Sequence, residues 1–308
     1  MSRAGRGRAG RGHKRQRGRA LVWLFLAPSL LVFLLYRIIP LGWNIVLSFE
    51  RWSPFRPPAW AGLVHYDEML FHDEVFWKSL WNTVVFMSSA PIAIALALAI
   101  ALLVNAPIRG RAFYRAAVFL SYPLMTVAVG IIWRWLYDEK VGLINSALIS
   151  LGLVQRGIPF LESFEWAMPA VIVAAVWQIV GFFMVILLAG LQSIPRELHE
   201  AAAIDGAGPA QRIGRITLPL LRPSVFLCLI IGIINSFTSF DLIYVMTRGG
   251  PTYATELLIT YIYRAAFTLT RFDYAAALTV VLFVFLLGLT WLANQASGGE
   301  AGAVEATE

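Results

Sequence analysis

Long runs of residues without a charge are the feature of this sequence that most constrains its fold. Six runs approach or exceed the roughly 20 mostly apolar residues that a helix needs to cross a bilayer. They cover residues 20–36, 79–108, 116–133, 166–195, 223–240 and 274–299. Because backbone N–H and C=O groups in lipid must bond within their own segment, we predict an all-α membrane protein with six transmembrane helices.

The composition excludes a soluble globular domain. Hydrophobic residues make up 59% of the chain and charged residues 14%, and the mean hydropathy is +0.70. We therefore expect one transmembrane domain over residues 20–296, between a basic tail (1–19) and an acidic tail (297–308). The first helix is expected to continue past Arg37 toward Phe49.

Basic residues near the ends of the runs predict the orientation, since connectors rich in Lys and Arg stay in the cytoplasm. The first 20 residues hold eight basic residues and no acidic one, residues 105–115 hold three and residues 195–222 hold four. The connectors between them are longer and more acidic. Both termini and the 195–222 loop are therefore predicted to be cytoplasmic. The basic tail is expected to determine topology at the membrane surface, with nucleic-acid binding and a cleaved signal peptide as alternatives.

The loop over residues 195–222 has the pattern of two short helices. Ser193 is predicted to cap the first helix, Pro195 to lie in its first turn and Gly206 to end it in the left-handed conformation. A second helix is predicted to open at Pro209 and to close at Pro219. Small residues between the caps leave a smooth patch that another protein can approach closely.

Within this loop, the triplet Glu200-Ala201-Ala202 is followed by Gly206 and then by Ile216-x-Leu218-Pro219. This spacing resembles the EAA loop of the membrane subunits of binding-protein-dependent ATP-binding-cassette (ABC) importers. The resemblance implies the type I importer permease fold, in which the loop forms a cytoplasmic coupling helix docked on an ATP-hydrolysing subunit. The residues that it assigns to ATPase coupling are Glu200, Ala201, Ala202, Asp205, Gly206, Gly208, Leu218 and Pro219.

Residues 235–251 (NSFTSFDLIYVMTRGGP) are similar to the carbohydrate branch of that family, and to the first of its two membrane partners. The resemblance implies a subunit of the bacterial cytoplasmic (inner) membrane that imports a sugar. Its implied partners are a second, related permease subunit, two ATPase subunits and an extracytoplasmic solute-binding protein. It implies no cofactor in this chain, because the ATPase subunits bind ATP and magnesium.

Polar residues inside two apolar runs are the candidates for the sugar path. Groups of this kind are costly at membrane depth unless they face the bundle interior or a water-filled cavity. Hydroxyl and amide groups beside aromatic rings suit sugars, which present apolar faces and hydroxyl edges. The alternative is that these groups hold neighbouring helices together. The candidate substrate-binding residues are Trp177, Gln178, Phe182, Ser236, Thr238 and Ser239.

The absence of basic residues from the runs 166–195 and 223–240 bears on the charge of the cargo. Neither contains a Lys or Arg, so no side chain neutralises a phosphate at mid-membrane. This favours a neutral di- or oligosaccharide over glycerol 3-phosphate or a related polyol phosphate, which remains the alternative cargo. Helix N-termini can hold anions without a charged side chain, so the phosphate alternative stays open.

Motifs for catalysis are missing from the sequence. A P-loop needs a lysine after glycine, and Lys14, Lys78 and Lys140 do not follow one. His199-Glu200 lacks the second histidine of a zinc protease, because position 203 is alanine. We therefore expect a transporter subunit rather than an enzyme. A non-transporting membrane scaffold and an intramembrane enzyme are the alternatives from other classes.

Overall fold

The computed structural model describes residues 25–53, 56–107 and 109–296. The predicted basic tail (1–19) and acidic tail (297–308) lie outside the described residues, as does the start of the first predicted span at residues 20–24. The described chain is helical except for one two-stranded hairpin. The prediction of a helical membrane protein is confirmed, whereas the count of six transmembrane helices stays a prediction. The hairpin was not predicted, because its strands are too short to read from composition.

The chain begins with an apolar helix, α1 (Phe25–Leu47), which contains one π turn at Leu34–Ile38. Strands β1 (Glu50–Ser53) and β2 (Arg56–Trp60) follow as an antiparallel pair. No residue of α1 is buried in this chain. Its exposed apolar surface fits a lipid environment or a partner helix.

Two helices of the second predicted span continue nearly in line. After the short helix α2 (Val64–Phe71), α3 (Glu74–Phe86) and α4 (Ser89–Asn105) form one apolar segment of 32 residues. The carboxylate of Asp73 caps α3. Its Oδ1 accepts hydrogen bonds from the backbone N–H groups two and three residues further along, at 2.9 and 3.0 Å. The cap extends the helix beyond the uncharged run.

The prediction of one helix over residues 116–133 was wrong. The structure has two shorter helices there, α5 (Arg111–Phe119) and α6 (Thr126–Leu136), separated by a break around Pro123. Proline has no N–H to donate and disfavours the helical conformation of the residue before it, so the run cannot continue as one helix. Helix α7 (Leu143–Ser150) follows outside this segment.

The rest of the chain contains the longest helices. Their bounds are α8 (Ala167–Ser193), α9 (Arg196–Ile204), α10 (Pro209–Leu220), α11 (Arg222–Thr238), α12 (Asp241–Met246), α13 (Leu258–Tyr263) and α14 (Phe272–Ala296). Helices α10 and α11 meet at a bend of 64°. Four helical segments of the described chain are long and apolar enough to cross a membrane, or five if this bent pair forms one span.

Helices α4, α8 and α11 pack closely through small residues. Ala93, Ala97 and Ala101 recur every fourth residue on one face of α4, and all three are fully buried. Gly232 of α11 lies against Ala90, where an added Cβ would come within 2.5 Å of the alanine Cβ. Lipid tails offer no hydrophobic gain for association, so contact at this distance supplies the dispersion energy that holds the bundle together.

At one end of the bundle, polar contacts join α2 and α3 to α13 and α14. The hydroxyl groups of Tyr261 and Tyr274 both donate to Oδ2 of Asp73. Arg271 donates two hydrogen bonds of 2.6 Å to the carboxylate of Glu68, and this pairing lowers the pKa of Glu68. These bonds fix the start of α14 to residues distant in sequence.

Gly181 provides the test of close packing. An added Cβ on this α8 residue would meet the α5 backbone, 2.8 Å from Cα of Phe119. We expect Gly181→Val to destabilise the chain by about 1–3 kcal/mol, because the backbone cannot yield as a flexible side chain would. Thermal unfolding of the detergent-purified chain measures the effect.

The matched control is Gly288→Val on α14, where an added Cβ meets nothing within 4 Å. It makes the same residue change in another apolar helix. Equal melting temperatures for the two variants would contradict the packing described here.

Candidate functional site

A cavity of about 340 Å³ lies among the helices that carry most of the predicted site residues. Its walls come from the α3–α4 junction, the break between α5 and α6, the middle of α8, the end of α11 and the start of α12. Gln178 is 15 residues before the end of α8, which is about 22 Å along the helix axis. Ser236 is 14 residues after the start of α11, or about 21 Å.

Four of the six predicted substrate residues line this cavity: Gln178, Ser236, Thr238 and Ser239. Trp177 and Phe182 are not among the lining residues. Trp177 meets Trp133 edge-on at 5.8 Å between ring centroids. Phe182 stacks on Tyr122 at 4.4 Å, and Tyr122 itself lines the cavity. Phe182 lies four residues after Gln178 on the same face of α8 and contacts the cavity wall through Tyr122. Trp177 is next to Gln178 in sequence and is therefore turned about 100° away from it around the helix axis.

The hydroxyl groups at the end of α11 bond to their own helix. Ser236 donates to the carbonyl of Gly232 at 2.8 Å, and Thr238 donates to the carbonyl of Ile234 at 2.9 Å. Each hydroxyl oxygen keeps lone pairs that can accept a bond from a ligand. These bonds within the helix therefore offset most of the free-energy cost of burying the hydroxyl groups in the membrane, without a partner from another helix.

Gln178 joins two parts of the wall. Its Nε2 donates to the carbonyl of Leu124 and to Oγ1 of Thr126, both at 3.2 Å. These bonds satisfy polar groups that the break at Pro123 leaves free. Gln178 thus holds two parts of the wall together and also lines the cavity, while its role in the sugar path stays a prediction.

The substrate-residue prediction missed several polar residues that line the cavity. Ser89, Tyr122 and Thr126 come from outside the two runs considered. Pro123 could have pointed to Tyr122 and Thr126, which lie close to it in sequence. Irregular backbone at membrane depth is tolerated where it lines a cavity or is buried in protein. Asp241 also lines the cavity and lies one residue after the uncharged run that ends at 240.

The loop that follows α12 is fixed to two other helices. Asn82 of α3 donates to the carbonyls of Tyr253 and Glu256 at 2.8 and 3.0 Å. The carboxylate of Glu256 is buried and pairs with Arg264 at 2.5 Å. Burial raises the pKa of Glu256, and the charge of Arg264 opposes that rise. Because this loop is anchored, α12 is held at the end away from the cavity.

The predicted coupling helix is exposed. Glu200, Ala201 and Asp205 are exposed and Ala202 is half-buried, and α9 contains no buried residue. Ile204, at the last position of α9, has 87% of its surface accessible. The predicted coupling residues on α9 are therefore accessible to a partner, and their coupling role stays a prediction.

The turn after α9 has the predicted geometry. Gly206 has φ +80°, and the N–H of Ala207 bonds to the carbonyl of Ala202 at 2.9 Å, as in a helix ended by a left-handed residue. Gly208 is the N-cap of α10 and Pro209 follows in its first turn. Leu218 is 40% accessible, so α10 also carries an exposed apolar residue.

Two predicted boundaries of this loop were wrong. Ser193 does not cap α9, because it ends α8 and donates to the carbonyl of Gly190 at 2.8 Å, and Pro195 is the N-cap without a side-chain bond. Pro219 does not close α10, which continues to Leu220. A π turn at Ile213–Thr217 precedes this proline, and its wider backbone accommodates the ring.

Comparison with known proteins identifies the family. Residues 84–295 match the family described as binding-protein-dependent transport system inner membrane component. The chain belongs to this family. It is therefore a multi-pass permease of the inner membrane and a transport subunit.

Three relatives of this permease share about a third of its residues. The sulfoquinovosyl glycerol transport permease SmoG of Agrobacterium fabrum is 35% identical and covers 88% of each chain. The diacetylchitobiose uptake permease NgcF of Streptomyces coelicolor is 34% identical over 90% of this chain and 83% of its own. The sn-glycerol-3-phosphate transport permease UgpA of Yersinia pestis is 34% identical over 88% and 91%.

A solved structure shares the fold. The crystal structure of a bacterial ABC transporter that imports the acidic polysaccharide alginate has a chain 28% identical to this permease, with a TM-score of 0.80. The match covers 93% of this chain and 98% of the other. The fold is therefore the type I ABC importer permease fold that the sequence predicted.

Cysteine labelling tests the geometry of the cavity. Thr238 is exposed and Ser236 is 2% accessible, although they are two residues apart on α11. We expect Thr238→Cys to react with a maleimide about tenfold faster than Ser236→Cys, since thiol reactivity follows access. The wild-type chain gives the background, because its only cysteine, Cys228, is fully buried. Equal rates at the two positions would contradict the orientation of α11.

Proposed function

We propose that this chain is the permease subunit of an ABC importer that moves a sugar, a neutral di- or oligosaccharide, through the cavity between α8 and α11. The observation that carries the proposal is the chemistry of the wall. Amide and hydroxyl groups of Gln178, Thr238 and Ser239 lie beside aromatic rings, and no Lys, Arg or His of the described chain lines the cavity. This combination matches the hydroxyl edges and apolar faces of sugar rings.

The relatives support sugar as the cargo class and leave its identity open. NgcF is named for diacetylchitobiose, and the alginate importer carries a polysaccharide. UgpA, at the same level of identity, is named for glycerol 3-phosphate, which makes a polyol phosphate the second candidate. The absence of a basic group from the described cavity wall favours the neutral sugar.

We further propose six membrane spans. The third would be formed by α5 and α6 together and the fifth by the bent pair α10 and α11. Both termini and the 195–222 loop would then be cytoplasmic, as the basic connectors favour. The family's description as binding-protein-dependent supports an extracytoplasmic solute-binding protein as one partner. A second related permease and two ATPase subunits complete the proposed assembly.

In this assembly α9 is the coupling helix. ATP binding would draw the two ATPase subunits together, and each would carry its docked α9 inward. Helices α8 and α11 flank the loop and extend about 20 Å from it to the cavity wall. Displacement of α9 therefore tilts both walls and opens the cavity. Glu200 would pair with a basic residue of the ATPase, and the small side chains of Ala201 and Ala202 permit close approach.

A scaffold and an intramembrane enzyme fit the cavity less well. A scaffold has no need for a polar wall of this kind at mid-membrane. An intramembrane enzyme needs paired acids, a histidine or an activated nucleophile, and among the described lining residues Asp241 is the only acid. Cys228, the only thiol of the chain, is buried away from that wall.

Uptake by the complete transporter tests the proposed function. Proteoliposomes that contain both permeases, the ATPase and enclosed ATP, with the binding protein outside, are given labelled cellobiose, maltose, diacetylchitobiose or glycerol 3-phosphate. We expect accumulation of a neutral sugar that requires hydrolysable ATP. Accumulation that continues without ATP, or that is confined to glycerol 3-phosphate, would refute the proposed function or its cargo class respectively.

Gly206→Val tests the coupling role of α9. The residue has φ +80°, which a β-branched side chain adopts at a cost of roughly 1–2 kcal/mol, so the turn after α9 should change shape. We expect loss of uptake, with ATP hydrolysis uncoupled or the ATPase lost on purification. The control is Gly152→Val, which has φ +70° and no atom near its Cβ but lies after α7, far from the loop in sequence. Normal uptake by Gly206→Val with the ATPase bound would show that the assigned role is wrong.

A further inference from the structure

Asp241 places a negative charge on the cavity wall. It lies in the first turn of α12, is exposed and lines the cavity together with Asn235, Thr238 and Ser239. Within residues 25–53, 56–107 and 109–296, no ion pair or hydrogen bond of its carboxylate is found. The partial positive charge at the N-terminus of a helix stabilises a negative side chain in the first turn, so the position of this carboxylate on α12 is favourable.

Three basic residues of the surrounding loops and helices have other partners. Arg264 pairs with Glu256 and Arg271 with Glu68. Lys78 donates to the carbonyl of Thr252 at 2.7 Å. None of these three lines the cavity. The charge of Asp241 is therefore not offset by a basic side chain on the described wall.

A single uncompensated charge acts strongly in such a space. The field of a charge is focused in a cleft with walls of low dielectric, and solvent screens it less than at an open surface. A carboxylate has two acceptor oxygens and no donor. It therefore accepts hydrogen bonds from the adjacent hydroxyls of a sugar and repels a carboxylate, sulfonate or phosphate.

We propose that Asp241 determines the charge specificity of the cavity: it admits neutral sugars and cationic amino sugars and excludes anionic ones. The inference rests on the proposed function and narrows its substrate class. It also assigns a role to a residue that the chain's apolar pattern does not single out.

The test measures the charge preference of the cavity without transport. Thr238→Cys is introduced in the purified chain, and its reaction rates are measured with a cationic, an anionic and an uncharged methanethiosulfonate of similar size. The uncharged reagent corrects for access and folding. Wild-type protein again supplies the background, since Cys228 is fully buried. The ratio of the cationic to the anionic rate reports the potential at residue 238.

We expect this ratio to fall about tenfold when Asp241→Asn is added, as removal of a unit charge from the same cavity wall, three residues along the chain, implies at intermediate dielectric. Asp241→Glu should keep the ratio near that of the parent. The control is Glu74→Gln, which removes an exposed acid 12 residues before the cavity residue Phe86, about 18 Å along the helix. It should leave the ratio unchanged.

A ratio that is unaffected by Asp241→Asn, or that falls equally in Glu74→Gln, would overturn the inference. A change in the uncharged rate alone would also overturn it, because that result means altered access rather than altered charge. These outcomes are independent of uptake. The chain can fail to import any sugar while the charge preference holds, and it can import sugar while the charge preference fails.

Discussion

The structure depends on one constraint: every backbone polar group at membrane depth must find a partner inside the protein. Long helices meet this requirement by themselves, and α8 does so over 27 residues. The third predicted span cannot, because Pro123 interrupts it. Its freed groups are satisfied by Gln178, which donates to the carbonyl of Leu124, and by Ser121, which donates to the carbonyl of Val118. The cavity lies at this break in the helix. The hydrogen bonds that offset the free-energy cost of the break therefore also place polar groups on the cavity wall.

Close packing of small residues makes the helices around the cavity act together. Alanines on α4 and glycines such as Gly181 and Gly232 bring backbones into contact, where little movement is possible without separating whole helices. Rigid α8 and α11 therefore connect the exposed helix α9 with the cavity wall about 20 Å away. A soft interface between these helices would absorb a displacement instead of transmitting it. The stability of the bundle and its proposed mechanism thus rest on the same contacts.

Charges are distributed unevenly along the chain, and their environments differ. Away from the cavity, Glu68 pairs with Arg271 and Glu256 pairs with Arg264. These pairs fix loops and helix ends, and pairs of this kind contribute little net energy where solvent reaches them. Asp241 is different because it faces the cavity with no basic partner on the described wall. A charge in that position acts on whatever enters the cavity.

The sequence by itself determined the fold class, the placement of most apolar helices and the turn at Gly206, because these follow from local properties: run length, proline, and the conformational freedom of glycine. It also singled out Gln178, Ser236, Thr238 and Ser239, since polar groups in an apolar run are conspicuous. It did not reveal that the run 116–133 breaks in two, that Trp177 and Phe182 do not line the cavity, or that Ser89 and Asp241 do. Those facts depend on which helices meet and at what rotation, and packing between distant segments decides them. Only the tertiary structure brings the residues together, because the cavity exists at the junction of helices and in none of them alone.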